Sequence, residues 1–362
     1  MITRIRINNY KSIEKTDVSF LRGKYDYANE YLLNDTVANP IAIYGKNGSG
    51  KTSFLTALED LSMLMGDEVD NLGILIPNLS LNNNTNKKTS IVIDFRLDTD
   101  NYCYGIETKL DGIHSEYLIV NGKTILERNE NEYYVSDRKY NIVSNLYPAL
   151  RDYYNRNNTI KELTKAYDFL SNIAYLGGDK RTYYAKSLNN VSYKDIMVEK
   201  SAEVKDILKS YEDFPIYDVI SATNKQTGKK DYYAVIDNNG HPFTLPLSFI
   251  SSGMHNQSVL ISILLTLPEN GTLVVDELED ALHPLTTMNF INLAVKRKVQ
   301  LIFVSHNTNT LSHLRPDNIV FANWKNGASS YKRLMNIYPN IRKVNNIEKM
   351  YLSSTFDEVI EK

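Results

Sequence analysis

A glycine-rich segment carries the residues with the clearest chemistry in this chain of 362 residues. It reads Gly-Lys-Asn-Gly-Ser-Gly-Lys-Thr and matches the G-x-x-x-x-G-K-[ST] phosphate-binding pattern, with the apolar run Ile41–Tyr44 before it and a helical pattern after it. In such a loop the backbone N–H groups surround the phosphates, Lys51 neutralises the β- and γ-phosphates, and Thr52 binds Mg²⁺. The segment therefore predicts a nucleoside triphosphate site formed by Gly45, Lys46, Asn47, Gly48, Ser49, Gly50, Lys51 and Thr52.

A second set of polar residues follows two buried strands further along the chain. The apolar run 271–275 ends in Asp276 and Glu277, which is the Walker B pattern. Asp276 would reach Mg²⁺, directly or through water, and Glu277 would polarise the attacking water. The next apolar strand ends at His306, one helix later, as a parallel α/β sheet requires. We therefore predict Glu277 and His306 as catalytic residues, and Asp276 with Thr52 as metal ligands.

The segment 247–257 precedes the apolar helical stretch 258–267. Its Ser252–Gly253 pair opens a helix, where a hydroxyl, backbone N–H groups and the helix dipole can all face one anion. An ordinary helix cap is the alternative interpretation. The position just upstream of the Walker B strand favours the anion site.

Composition indicates a globular protein of the reducing cytoplasm. Hydrophobic residues make up 42% and charged residues 23%, and the formal net charge of −2 provides no global attraction to nucleic acid. The lone Cys103 cannot form an internal disulfide. The N-terminus alternates apolar and charged residues, unlike a signal peptide, and the apolar stretch 259–267 is too short to span a bilayer. The expectation is a cytoplasmic protein with no membrane partner.

Hydrophobic periodicity predicts an α/β fold in three parts. Residues 1–128 read as an N-terminal lobe that contains the phosphate loop and an antiparallel β subdomain, with alternating strands from Thr89 onward and a hairpin turn at Asn121–Gly122. Residues 129–214 have mainly helical periodicity and form a predicted insertion. Residues 215–362 form a C-terminal lobe with the Ser-Gly pair, the Walker B strand and His306.

Together these elements resemble the ABC-type ATPase heads of the SMC, RecF and OLD-like AAA group. The resemblance is carried by the opening strand with its Asn9-Tyr10-Lys11-Ser12 turn, the phosphate loop, the signature at 251–257, the Asp-Glu-x-Glu-x-x-Leu-His-Pro segment at 276–284 and the His306 strand. It implies an ABC-ATPase head with a mixed or parallel P-loop sheet. The 276–284 segment is particularly like the OLD and RecF-like branch. The resemblance covers both ends of the chain but not its middle, about residues 129–214.

The resemblance also implies how the site is completed. In this group two heads sandwich two ATP molecules, so Ser252 and Gly253 would contact the γ-phosphate bound by another chain. The implied assembly is a homodimer or higher homo-oligomer held by ATP, with Mg²⁺ as the metal. Lys11 and Ser12 are the implied neighbours of the adenine.

Two departures from the group's pattern matter. The signature reads Ser-Ser-Gly-Met where transporters have Ser-Gly-Gly-Gln. No glutamine occurs between Thr52 and Lys225, so the Q-loop glutamine that would approach the metal is missing from its usual place. Glu116 is the substitute candidate for a metal ligand, with a plain strand glutamate as the alternative.

Three hypotheses concern the biological task. The first is the sensor or regulatory ATPase subunit of a phage-defence or DNA-surveillance system, working beside a separate nuclease or toxin. It is favoured by the OLD-like segment together with the expectation that the roughly 55 residues after His306 are too few for a Toprim nuclease domain.

The second is a RecF-like DNA-repair ATPase that contacts DNA through the basic clusters at 180–181, 225–230 and 296–298. The third is a transporter ATPase subunit, against which the missing glutamine and the Asn-Tyr-Lys-Ser turn argue.

Overall fold

A computed structural model describes most of the chain. The described residues are 1–25, 36–66, 87–156, 160–177, 183–184, 191–209, 216–238, 240–282, 284–342 and 345–356. His283 of the 276–284 segment, the basic pair 180–181 and the predicted boundary at residue 214 lie outside them.

These residues form eighteen strands, nine α-helices and several short 3-10 helices. The strands are β1 (Ile2–Tyr10), β2 (Ile13–Ser19), β3 (Ile41–Tyr44), β4 (Thr89–Leu97), β5 (Asp100–Lys109), β6 (Gly112–Val120), β7 (Lys123–Arg128), β8 (Glu132–Val135), β9 (Arg138–Asn141), β10 (Ala174–Leu176), β11 (Tyr183–Tyr184), β12 (Ile216–Thr223), β13 (Lys230–Asn238), β14 (His241–Pro246), β15 (Thr272–Val275), β16 (Gln300–Val304), β17 (Ile319–Lys325) and β18 (Ala328–Arg333). The α-helices are α1 (Lys51–Met65), α2 (Ala149–Arg156), α3 (Lys161–Ser171), α4 (Tyr193–Glu199), α5 (Ser201–Lys209), α6 (Ser252–Thr266), α7 (Pro284–Lys296), α8 (Leu334–Ile337) and α9 (Ile347–Leu352). The 3-10 helices span Leu247–Phe249, Leu278–Ala281, Thr308–His313 and Pro316–Asn318.

One large sheet organises the fold. Among the described residues it has fifteen strands in the order β11-β10-β15-β16-β3-β17-β18-β2-β1-β4-β5-β6-β7-β8-β9. The strands from β10 to β17 in this order pair in parallel, whereas β1, β4 and the strands beyond them pair antiparallel. Parallel pairing places the carboxyl ends of β15, β16 and β3 at one edge of the sheet. The α/β prediction with a mixed P-loop sheet is therefore confirmed.

The central strands are buried on both faces. In β3, Ile41 and Ile43 pack into the layer that contains α1, α2 and α3, while Ala42 and Tyr44 pack into the layer of α6 and α7. Parallel strands covered on both sides are apolar along nearly their whole length, which explains why β3 and β15 read as continuous apolar runs.

The antiparallel strands continue the central sheet. The turn from β6 into β7 has positive φ angles at Asn121 and Gly122, 49° and 80°, so the predicted two-residue hairpin is confirmed. Among the described residues, strands β12, β13 and β14 form a separate three-stranded sheet.

In its described residues, the segment 129–214 contains strands as well as helices. It begins with strands β8 and β9, and its helices are interrupted by β10, which pairs in parallel with β15 at the Walker B position. Part of the predicted insertion therefore lies inside the ATPase sheet. The described helices include none that is long and apolar enough to cross a membrane.

The start of the chain is tied to the centre of the sheet by one buried amide. The Gln300 side chain accepts a hydrogen bond from the Ile2 N–H at 2.7 Å and donates to the Ile2 carbonyl at 2.8 Å. Gln300 is completely buried, so these two bonds satisfy polar groups that water cannot reach.

Candidate nucleotide-binding site

The phosphate loop connects β3 to α1 in a conformation that requires glycine. Gly50 has φ of +91°, and a Cβ at this position would lie 2.1 Å from Ser329 Oγ and 2.6 Å from Ser12 Oγ. The Tyr331 hydroxyl donates to the Gly50 carbonyl at 2.6 Å. A side chain at position 50 would therefore collide with both neighbours, in addition to the strain of its left-handed backbone.

Lys51 lies over the loop that precedes it. Its Nζ donates to the carbonyls of Gly45 at 2.9 Å and Lys46 at 3.2 Å. Burial lowers the pKa of the ammonium, and the acidic Asp276 and Glu277 oppose that shift. A phosphate placed in the loop would offer this buried cation stronger acceptors than neutral carbonyls.

A short hydrogen bond joins the two nucleotide motifs. The Thr52 hydroxyl donates to Asp276 Oδ2 at 2.9 Å, although the residues are 224 positions apart. Asp276 lies at the end of β15, is only 5% exposed, and its N–H donates to the Leu176 carbonyl of β10 at 2.9 Å. The strand order therefore brings the Walker A threonine and the Walker B aspartate into direct contact.

These two side chains fit a Mg²⁺ ion. A hydroxyl and a carboxylate are hard oxygen donors, and protein-bound Mg²⁺ typically takes one or two such ligands together with phosphate oxygens and water. In the part of the chain that the structure describes, no three His, Cys, Asp or Glu side chains form a metal cluster. Two protein oxygen ligands leave positions for the phosphate oxygens and waters that such a Mg²⁺ ion takes.

Glu277, the residue after Asp276, has a strained backbone conformation. Its φ of 53° and ψ of 59° lie in the left-handed region, which is unfavourable for a residue with a side chain. Such outliers concentrate at functional sites. Glu277 lines the same cleft as Lys51 and Thr52.

His306 lines the cleft just beyond the end of β16. Its imidazole is exposed, and its backbone N–H donates to the carboxylate of Glu279, two residues beyond Glu277. This bond ties the histidine strand to the segment after Walker B. Glu279, the second glutamate of the Asp-Glu-x-Glu segment, is thus a positioning residue that was not predicted from the sequence.

The predicted residues line a cleft of about 700 Å³, within the range of small-ligand sites. Its lining residues are Ser12, Asn47, Gly48, Gly50, Lys51, Thr52, Ser53, Asp276, Glu277, Val304 and His306. Gly45 and Lys46 contribute through the carbonyls that hold Lys51, and Ser49 is buried inside the loop.

The Lys11–Ser12 turn is divided between two tasks. Ser12 lines the cleft, and its hydroxyl donates to Ser53 Oγ at 2.9 Å. Lys11 instead donates to Thr56 Oγ1 of α1 at 3.0 Å and does not line the cleft. The structure therefore brings Ser12 to the nucleotide site and assigns Lys11 to packing against α1.

Glu116 is not placed as a metal ligand. Its carboxylate is completely buried in β6, where it accepts hydrogen bonds from the N–H groups of Ala149 at 2.5 Å and Leu150 at 3.0 Å and from the Tyr104 hydroxyl at 2.9 Å. Arg128 lies 3.9 Å away as its counter-ion. Glu116 caps the first turn of α2 and is absent from the cleft lining, so this prediction is corrected.

The signature residues lie apart from the cleft of their own chain. Ser252 and Gly253 form the first turn of α6 and are exposed, and neither lines the cleft. The helix cap is Ser251, whose hydroxyl accepts from the Met254 N–H at 3.3 Å. Capping thus explains Ser251 and leaves the Ser252 hydroxyl facing outward.

Replacing the cap serine separates these two roles. Ser251→Ala is expected to lower the free energy of unfolding by about 1 kcal/mol, the usual loss for an N-cap hydroxyl, whereas Ser252→Ala changes it by less than about 0.5 kcal/mol. Urea denaturation followed by circular dichroism measures both values. Equal destabilisation by the two variants would contradict the assignment of Ser251 as the cap.

The sequence did not predict several residues of the site, among them Ser53 and Val304 of the cleft lining. Ser329 and Tyr331, both in β18, contact the phosphate loop through Gly50 and Ser12. The Asn326–Gly327 turn between two alternating stretches is a hairpin signal that could have revealed this strand pair.

Comparison with solved structures gives matches of low sequence identity. An SMC head solved bound to the C-winged helix domain of ScpA is 13% identical, with a TM-score of 0.52 and coverage of 92% of this chain and 99% of the other. The SMC head domain from Thermotoga maritima is 14% identical, with a TM-score of 0.47 and coverage of 92% and 98%. The recombination mediator RecF is 11% identical, with a TM-score of 0.43 and coverage of 91% and 98%. The first of these supports the ABC-type head fold.

No curated protein matches the chain with significant similarity. One protein family does match, over residues 41–312, and its description is "AAA domain, putative AbiEii toxin, Type IV TA system". The matched range contains the phosphate loop, the signature, the Walker B strand and His306. Since it also spans more than half of the sequence, this protein belongs to that family of AAA-domain P-loop ATPases, AAA_21.

Proposed function

We propose that this chain is a Mg²⁺-dependent ATPase whose copies associate head to tail around ATP. The Thr52–Asp276 contact carries the proposal, because it assembles one half of a nucleotide site within a single chain. Ser252 and Gly253 are exposed and do not line this cleft, which supports a role toward a nucleotide held by a different copy.

The geometry supports a role for each side chain in hydrolysis. Lys51 and the loop N–H groups bind the β- and γ-phosphates, while Thr52 and Asp276 would hold the metal. Mg²⁺, when bound, neutralises charge on the phosphate oxygens. Glu277 accepts a proton from the attacking water, and His306 contacts the γ-phosphate.

Association of this kind is a switch with two states. The Ser252 hydroxyl and the Gly253 N–H would donate charge-assisted hydrogen bonds to a γ-phosphate, and such bonds are about twice as strong as neutral ones. Hydrolysis removes their acceptor, so the dimer separates once the γ-phosphate is released.

An exposed aromatic residue close to the signature in sequence supports protein contact there. Phe249, two residues before Ser251, is 74% exposed, and Ile220 on the neighbouring three-stranded sheet is 40% exposed. Aromatic residues are enriched at the cores of protein interfaces. A partner bound at the signature would cover Phe249.

The family description supports a defence-related task. It names a toxin of a type IV toxin–antitoxin system, and we place this chain in such a setting as the ATP-dependent sensor or regulatory subunit beside a separate nuclease or toxin. ATP hydrolysis by the heads would then report the trigger to the effector.

Direct DNA binding is less favoured by the described charges. Members of two of the basic clusters pair with acids: Lys230 with Asp195 at 3.2 Å, Arg297 with Glu203 at 3.3 Å and Lys298 with Glu269 at 3.1 Å. These pairs reduce the local positive potential that a phosphate backbone would require.

A mixture of two inactive variants tests the shared site. Ser252→Arg is expected to bind ATP but not to hydrolyse it, since the bulky cation replaces the hydroxyl offered to the other chain. Lys51→Ala cannot bind ATP but keeps its signature. When the two variants are mixed in equal amounts, the mixture is expected to recover about a quarter of the wild-type rate. Random pairing makes about half of the dimers mixed, and each mixed dimer has one complete site out of two. Phosphate release measures the rates.

Ser136→Arg, in the exposed turn between β8 and β9, is the matched control and should hydrolyse ATP normally. An inactive mixture would show that the signature does not act on another chain. Normal hydrolysis by Ser252→Arg alone would remove Ser252 from the site.

A further inference from the structure

The hairpin β17–β18 contacts the Ser12 turn at the edge of the nucleotide cleft. Its turn residues Asn326 and Gly327 have positive φ angles of 53° and 82°. Just beyond the turn, the Ser329 N–H donates to the Ser12 carbonyl at 2.7 Å, and the Ser329 hydroxyl donates to Ser12 Oγ at 2.8 Å. Because Ser12 lines the cleft, the tip of the hairpin lies at the cleft edge.

The strand order gives the direction in which a bound nucleotide must extend. Asp276 and Glu277 follow β15, which lies on one side of β3 beyond β16, whereas β17 and β18 lie on the other side. The metal and the γ-phosphate belong beside Asp276. The ribose and base, at the opposite end of the nucleotide, therefore leave the loop toward the β17–β18 hairpin.

Trp324 lies on that hairpin and on the face that meets the loop. It pairs with Ser329 across the two strands, so the side chains of both residues project from the same face with Cβ atoms about 5 Å apart. Ser329 in turn contacts the loop at Gly50. Alternation along β17 places Trp324 on the same face as Ala322, which pairs with the loop-bound Tyr331.

We propose that Trp324 stacks on the purine base of the nucleotide bound by its own chain. The indole is 44% exposed on the face of the hairpin that meets the loop, and a purine covering it would remove apolar surface from water on both partners. This inference rests on the proposed nucleotide site and adds a base-binding residue to it. Stacking tolerates any purine, so ATP and GTP should gain similarly from it.

The chain contains a single tryptophan, so its emission reports this position alone. With Mg²⁺ present, ATP and GTP are each expected to quench or shift the emission of the full chain on saturation. Inorganic tripolyphosphate, which occupies the phosphate loop but has no base, is expected to leave the emission unchanged. Competition against a fluorescent ATP analogue confirms that tripolyphosphate binds.

Affinity measurements on variants complete the test. Trp324→Ala is expected to raise the Kd for ATP about tenfold, the loss expected for one base–aromatic stack, while the Kd for tripolyphosphate stays within about twofold. Trp324→Phe should recover most of the affinity. Val143→Ala, which removes another exposed hydrophobic residue, is the control and should bind ATP as the wild type does.

Several results would overturn the stacking proposal. ATP binding without any change in emission, or an equal loss of ATP and tripolyphosphate affinity in Trp324→Ala, would do so while leaving the nucleotide site intact. If neither ATP nor tripolyphosphate binds the wild-type chain, the proposed function fails and the stacking proposal fails with it.

Discussion

Lys51→Ala is expected to weaken ATP binding at least about a hundredfold, corresponding to the roughly 3 kcal/mol of a charge-assisted bond lost from a buried site. The ammonium is already held over the loop by the Gly45 and Lys46 carbonyls, so little reorganisation is needed when phosphate arrives. Isothermal titration calorimetry with Mg²⁺ and ATP measures the change.

A second variant separates charge from packing. Lys51→Met keeps the aliphatic length inside the loop and should lose as much affinity as Lys51→Ala if the charge is responsible. Lys109→Ala removes an exposed lysine at the end of β5 and should bind normally. Unchanged ATP affinity in both Lys51 variants would contradict the assignment of the phosphate site.

Glu277→Gln is expected to slow hydrolysis by about a hundredfold or more, because a general base typically contributes that much or more to the rate. The amide keeps the size of the side chain but cannot accept the proton of the attacking water. ATP then persists between the two copies, and the dimer should become the dominant species. Light scattering with Mg²⁺ and ATP measures its mass.

Glu269→Gln is the matched control, because Glu269 is an exposed glutamate on the loop that precedes β15. It should hydrolyse ATP at the wild-type rate and show no added dimer. A Glu277→Gln protein that binds ATP yet stays monomeric would show that the sandwich arrangement is wrong for this chain.

Local patterns predicted the elements whose determinants lie close together in sequence. The phosphate loop, the strand before Asp276 and the Asn121–Gly122 hairpin depend on residues within a few positions of one another, and the structure has all three. A strand that is buried on both faces is also easy to predict, because nearly all of its residues are apolar.

The features that could not be predicted from the sequence depend on contacts between residues far apart in the chain. Strand β10 has only three residues, and its identity as a sheet strand comes from pairing with β15, about a hundred positions later. Glu116 looks like an ordinary strand glutamate until α2 places two N–H groups beside it. The contact of Ser329 with Ser12 spans 317 positions, which no local pattern records.

The position of β3 between β16 and β17 determines when the nucleotide site can form during synthesis. Ile41 pairs with Ile302 and Ile43 with Val320, so β3 has no permanent strand neighbours until most of the chain has been translated. Strands β1, β2 and β4, which pair with one another, can associate earlier. Contacts as distant in sequence as those of β3 slow folding and leave apolar strands exposed to aggregation. The protein cannot bind ATP through a completed site as a nascent chain, and its dependence on chaperones should be greatest in that interval.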